Sequence, residues 1–172
     1  MNNNQFFLFP ELESKPLIKD IDYVDLAELN DYNEHYGTKK NKLNQLPKQT
    51  YFLYKTGGNN PFMKNSENDF PYVKNIKENS ILTPSLSKTY MQIIIKHNDI
   101  GYQISMHRHT ASAFIVNDNP ELKKVVNHIN GNRIDYRVHN LEWSTQANNL
   151  KGCKKPRGFS KSRISLLTDS NS

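Results

Sequence analysis

Apolar and polar positions are most ordered in the middle of the chain. Residues 90–96 (YMQIIIK) and 101–107 (GYQISMH) are β-rich runs joined by HNDI, a pattern that predicts a β-hairpin. Residues 108–116 (RHTASAFIV) then set Ala and Phe at helical spacing, and Asn117 with Pro120 ends that element. Upstream, residues 51–55 (YFLYK) read as a short strand before TGGNNP breaks the chain. Residues 56–69 lack periodicity and read as loop, and residues 72–76 are a weaker strand. Nearer the amino terminus, Ile21, Val24, Leu29, Tyr32 and Tyr36 share one face of a helix over residues 20–36, capped by an Asp and ended by Gly37. Residues 1–19, with FFLF, Pro10 and Pro16, read as an extended arm, and residues 38–50 as a polar linker.

Residues 125–149 (VVNHINGNRIDYRVHNLEWSTQANN) have a different character. A β-rich VVNHI leads into the turn-forming Asn130-Gly131-Asn132. A loop, a second short strand (LEWST) and a helix beginning near Thr145 follow. This order puts Asn127 and His128 on the first strand, Asn140 at the start of the second, and Asn149 on the helix facing back.

Composition narrows the class. Leu, Ile, Val and Phe fill 42 of 172 positions, enough for a modest core. No apolar run approaches the ~18 residues of a membrane span, and MNNNQFFLFPELE lacks the features of a secretory signal. An intracellular, non-secreted protein with no membrane partner is expected. Cys153 is the single cysteine, which excludes an internal disulfide framework and a zinc site of several thiolates; no disulfide-linked partner is expected.

The net charge of +6 is unevenly spread. Residues 1–36 carry eight acids against two lysines, and residues 37–172 carry 21 basic and nine acidic side chains. An acidic head on a basic body suggests a polyanion partner for the body. Genome composition is the competing account: Asn (23), Lys (18) and Ile (13) have A/T-rich codons, whereas Ala (4) and Gly (7) are scarce. The same bias hints at a phage, viral or organellar genome. Residues 151–163 hold six basic residues and no acid, and a Ser/Asn-rich tail follows. Three regions are therefore expected: an acidic arm, helix and linker over 1–50, a main domain over 51–150, and a basic, flexible tail over 151–172.

The strand–loop–strand–helix segment resembles the HNH endonucleases, specifically the small phage and intron-encoded homing type. In that group the motif reads approximately Asp-His, a Gly-containing turn, Asn-Leu-x-Trp, then Asn. The matching residues are Asn127-His128, Gly131, Asn140-Leu141-Glu142-Trp143 and Asn149. The upstream hairpin and its "His-Arg…Ala-Phe" helix also fit, so the resemblance covers roughly residues 70–150. It implies an α+β fold: a ββα-metal (HNH) core about residues 125–150, preceded by a β-hairpin and helix, with an irregular acidic N-terminal extension.

The implied activity is metal-dependent hydrolysis of phosphodiester bonds in double-stranded DNA, nicking or cutting it, with homing as a possible context. His128 becomes the general base, since histidine accepts a proton near neutrality. One Mg²⁺ or Mn²⁺ ion would be held at positions 127 and 149 and would stabilise the leaving oxyanion. Asn140 would organise the loop that aims His128. Where the family has Asp this chain has Asn127, which implies weaker metal affinity, with Asp135 and Glu142 as nearby carboxylates. His107, Arg108, Arg133, Arg137, Lys151, Lys154, Lys155 and Arg157 are candidate DNA contacts. A structural role competes for His107, and a solvated loop charge for Arg133 and Arg137. Trp143 reads as core beneath the site, and His35, His97 and His139 as surface residues. The rival reading is an HNH-fold DNA-binding or structural protein whose metal site has decayed; RNA as substrate is a third.

Overall fold

The structure is a computed structural model that describes residues 15–29, 42–63 and 69–152, the last three by backbone alone. Its first layer is an antiparallel meander of β1 (Tyr23–Asp25), β2 (Tyr51–Gly58), β3 (Phe70–Asn75) and β4 (Ser80–Leu82). A three-stranded sheet of β5 (Ser85–Ser87), β6 (Tyr90–His97) and β7 (Ile100–Ser105) follows, then helix α1 (Met106–Phe114). The two-stranded ribbon of β8 (Val125–His128) and β9 (Leu141–Ser144) leads into α2 (Gln146–Gly152). The class is α+β, with the ββα order over residues 125–152 that the sequence predicts.

The β6–β7 hairpin forms for local reasons. Met91, Ile93 and Ile95 point into the core while Ile94 faces out, the period-two pattern of a half-buried strand. Asn98 and Asp99 both adopt positive φ, 50° and 59°, the backbone of the two-residue turn that matches strand twist. Helix α1 begins two residues earlier than its sequence pattern suggests and stops at Phe114; Met106, His107, His109, Thr110, Ala111, Ala113 and Phe114 are all buried.

Two expectations fail. The described part of residues 20–36 holds no helix: residues 23–25 pair with β2, and a 3₁₀ turn spans Leu26–Glu28. Asp25 explains the change. Its buried carboxylate accepts the backbone N–H of Ala27 (3.0 Å) and of Gln49 (2.6 Å), clamping a strand-to-turn corner in place of a helical start. Tyr32 and Tyr36 lie outside the described residues, as do Lys154, Lys155 and Arg157. Nor does TGGNNP break the chain at Thr56, since β2 runs to Gly58 through a register irregularity. A Cβ at Gly58 would sit 2.5 Å from Tyr72 Cβ and 2.9 Å from the Phe70 carbonyl, so only glycine lets β3 approach this closely.

One apolar core joins the layers, from Leu26, Leu43 and Leu53 through Ile95 and Phe114 to Leu141 and Trp143. Residues 17–19 are laced to the end of α1. Lys19 N–H donates to Phe114 O and Val116 N–H to Leu17 O (both 2.8 Å), and Lys19 Nζ donates to Ser112 O (2.9 Å). No described helix is long and apolar enough to cross a membrane.

Candidate catalytic site

The β8–β9 ladder sets the geometry. Asn127 lies opposite Glu142, and His128 opposite Leu141. Side chains alternate along a strand, so Asn127 and Glu142 share one face of the ribbon while His128 and Leu141 share the other. On the first face Asn127 Nδ2 donates to Glu142 Oε1 at 2.7 Å.

On the second face three rings cluster. His107 stacks on Tyr90 with centroids 4.4 Å apart, and His128 lies 5.1 Å from His107 and 5.9 Å from Tyr90. Ser105 Oγ is 3.3 Å from His107 Nδ1. The Arg133 guanidinium lies over the Tyr90 ring, 5.7 Å from its centroid. His128 is only 6% exposed, and its Nε2 is buried without a hydrogen-bond partner among the described residues. Such an atom calls for an explanation in a native protein, a catalytic role among them.

Burial keeps both imidazoles neutral. It is the main cause lowering His107 to about 2, with the charges of His128, Arg108 and His109 adding to it. Burial likewise lowers His128 to about 4, assisted by Arg133 and opposed by Asp135. The consequence for His107 has a definite sign. The unfolded chain binds a proton near pH 6.5 that the folded state refuses, so stability falls as pH drops below that value. Replacing His107 with Phe should flatten the stability curve between pH 6 and 4 by up to ~1.4 kcal/mol per pH unit. Urea unfolding across that range checks this; parallel curves for parent and variant would show that His107 titrates normally.

The loop from β8 to β9 is built from amides. Gly131, at φ +73°, makes the turn, and its N–H donates to His128 O at 2.9 Å. Asn140 closes the loop with its whole side chain: Oδ1 accepts Asn130 N–H (3.0 Å), and Nδ2 donates to Asn130 Oδ1 (3.0 Å) and Asp135 O (2.8 Å). Its carbonyl accepts Ile129 N–H at 2.9 Å, directly after His128. Asn130 Nδ2 in turn donates to Asp135 Oδ2, and from the loop after β2 Asn60 Nδ2 donates to Ile134 O.

Arg137 is committed within the protein. Its Nε and Nη2 donate to the two oxygens of Asp135 (2.8 and 2.7 Å), its Nη1 donates to Asp69 Oδ2 (3.0 Å), and its guanidinium lies over Phe70. Burial alone would raise the Asp135 carboxyl, but hydrogen bonds from Arg137 and Asn130 outweigh it and hold the group below its ordinary value.

The remaining expected residues are more scattered. Arg108 is half-buried on α1, and Arg133 is exposed on the loop. Asn149 is half-buried on α2, which packs against β8; Thr145 caps that helix by accepting Asn148 N–H at 3.2 Å. Lys151 is on α2, with only its backbone described. Trp143 is core, donating from Nε1 to Ile115 O at 3.3 Å. His139 is exposed and His97 half-buried; His35 lies outside the described residues. Sequence reasoning did not find Tyr90 or Asn60 as parts of this neighbourhood, and it read Asn130 only as a turn residue.

No family model matches the chain. The chain is 43% identical over 91 residues to a protein named uncharacterized HNH endonuclease L247 of Acanthamoeba polyphaga mimivirus, covering 52% of this chain and 23% of that protein. It is 35% identical over 75 residues to uncharacterized HNH endonuclease L245 of the same virus, covering 43% of this chain and 22% of that protein. The chain thus spans less than a quarter of the length of either curated relative. A solved structure, described as DNA binding and cleavage by the HNH homing endonuclease I-HmuI, matches with a TM-score of 0.49 and 22% identity, over 76% of this chain and 56% of that one.

Proposed function

We propose that this chain, similar over about half its length to viral proteins named as HNH endonucleases, is a metal-dependent DNA endonuclease that hydrolyses phosphodiester bonds. The observation that carries the reading is His128, neutral and buried at the end of β8, with an Nε2 that no group among the described residues uses. In this reading Nε2 takes a proton from the attacking water. Asn140 is a positioning residue: its amide ties the loop to the strand end and thereby fixes the backbone that follows His128. Arg133, exposed beside Tyr90, meets a DNA phosphate, and Arg108 and the basic residues 151–157 add sequence-independent attraction. The bonds of Arg137 to Asp135 and Asp69 favour a structural role for that residue.

The donor chemistry fits a hard cation. Asn127, Asn149 and Glu142 offer oxygen, and oxygen ligands suit Mg²⁺ or Mn²⁺. Among the described residues no three His, Cys, Asp or Glu side chains gather to hold an ion. Mg²⁺ tolerates such a sparse site, because it keeps several waters and binds through one or two protein oxygens together with substrate phosphate. Asn127 and Asn149 would hold it. When bound, the cation would polarise the scissile phosphate and offset charge on the departing 3′ oxygen.

Incubating the full chain with supercoiled plasmid and Mg²⁺ or Mn²⁺ should yield relaxed circles that DNA ligase can reseal, and EDTA should abolish them. Absence of metal-dependent nicking with every divalent cation tried would refute the endonuclease. Retained duplex binding in that case would mark a non-catalytic DNA-binding protein.

A further inference from the structure

We infer that Glu142 supplies the negative charge of the cation site, in place of a carboxylate at position 127. The inference rests on the reading above, in which Asn127 and Asn149 hold the ion. Its ground is the cross-strand pair: Glu142 lies directly opposite Asn127 in the ladder, on the same face, and accepts the amide N–H at 2.7 Å. That bond fixes the orientation of the Asn127 amide, because the nitrogen is turned to Glu142 and the oxygen is left for another partner.

The same bond uses only part of Glu142. An ionised carboxylate has about four lone-pair sites, and among the described residues Glu142 has no other hydrogen bond and no ion pair. It is half-buried, with no cationic side chain paired to it among the described residues. The alternatives for that charge are spent. Asp135 is completely buried and bonded to Arg137 and Asn130, and Asp69 is paired with Arg137. Glu142 is therefore the carboxylate with unused oxygen on the face that bears Asn127. The negative charge has moved across the strand pair, and the amide left behind serves as a neutral ligand and as the hinge that holds the carboxylate.

Mn²⁺ binding by the full chain, followed by the electron paramagnetic resonance of the free ion, tests this without reference to cleavage. Glu142→Gln keeps an oxygen to accept the Asn127 bond and removes only the charge, so the fold should survive; near-ultraviolet circular dichroism of the single tryptophan verifies that. Mn²⁺ affinity should fall roughly 10–100-fold. Adding Asn127→Asp to that variant returns one carboxylate to the pair and should restore affinity to within a few-fold of the parent. Parental affinity in Glu142→Gln, with Asn127→Ala or Asn149→Ala weakened, would overturn the inference and leave the metal site standing. If the parent takes up no Mn²⁺, even beside a non-cleavable duplex, the underlying reading fails and this one with it.

Discussion

Alanine at position 128 is expected to reduce metal-dependent nicking by about 10²–10⁴-fold, the usual contribution of a positioned general base, while duplex affinity stays within a few-fold of the parent. The two effects separate because affinity for DNA comes mainly from phosphate contacts, and His128 is a buried ring packed beside His107 and Tyr90 rather than an exposed charge. Truncation removes a ring from that cluster, so the comparison requires a variant shown by its melting curve to be folded at the assay temperature. Nicking rates and gel-shift affinities, measured in the same buffer, decide the matter. A folded variant that cuts as fast as the parent would remove His128 from the chemistry. A loss of binding equal to the loss of cutting would instead make it a DNA contact.

The second large effect falls on stability. Arg137→Met keeps much of the side chain's length over Phe70 but leaves Asp135, fully buried, without the two hydrogen bonds that neutralise it. Stranding one partner of a buried pair costs about 3–5 kcal/mol. The lower end applies here because 23% of the Arg137 side chain remains in water. At about 2–4 °C per kcal/mol for a chain of this size, the melting temperature should fall by roughly 10 °C at pH 7. The pH dependence has a definite direction. The depressed Asp135 value means its contribution is present above the unfolded carboxyl value near 3.9 and is lost as pH falls through the folded one. The gap between parent and variant should therefore narrow in acid. Equal melting temperatures at pH 7 would show that the Asp135 charge is compensated elsewhere.

Legibility followed the range of the interactions. The β6–β7 hairpin could be read because its signals are local: alternating Met91, Ile93 and Ile95, then two residues suited to positive φ at the turn. The ββα segment could be read because Asn127, His128, Gly131, Asn140 and Asn149 fall within 23 residues in a spacing that the chemistry constrains. The amino-terminal segment could not. Ile21, Val24 and Leu29 sit at helical spacing, but the partner that makes residues 23–25 a strand is β2, some thirty residues away. Asp25 caps only the short 3₁₀ turn with one carboxylate oxygen and gives the other to the backbone N–H of Gln49, 24 residues on. Within the site, the contact of Tyr90 with His128 spans 38 residues and has no local signature. The Asn127–Glu142 bond was half visible: both residues stood out, but only strand register brings them opposite.

The lacing of residues 17–19 onto the end of α1 also imposes an order of events in time. Lys19 finds its acceptor in Ser112, 93 residues further along the chain. At synthesis rates of about 5–20 residues per second, on the order of 5–20 s separates the synthesis of the segment from that of its partner. Leu17 and Ile18 lack that partner through the interval, and they are among the more exposed apolar side chains even once docked. Among the described residues, the stretch that leaves the ribosome first thus gains its bonds to α1 late, after Lys55 of β2, which donates to Lys19 O at 3.2 Å, has already been made. Its docking on Ser112 and Phe114 requires that helix α1 has been made, and Asn127, His128, Asn140 and Asn149 all follow that helix in the chain.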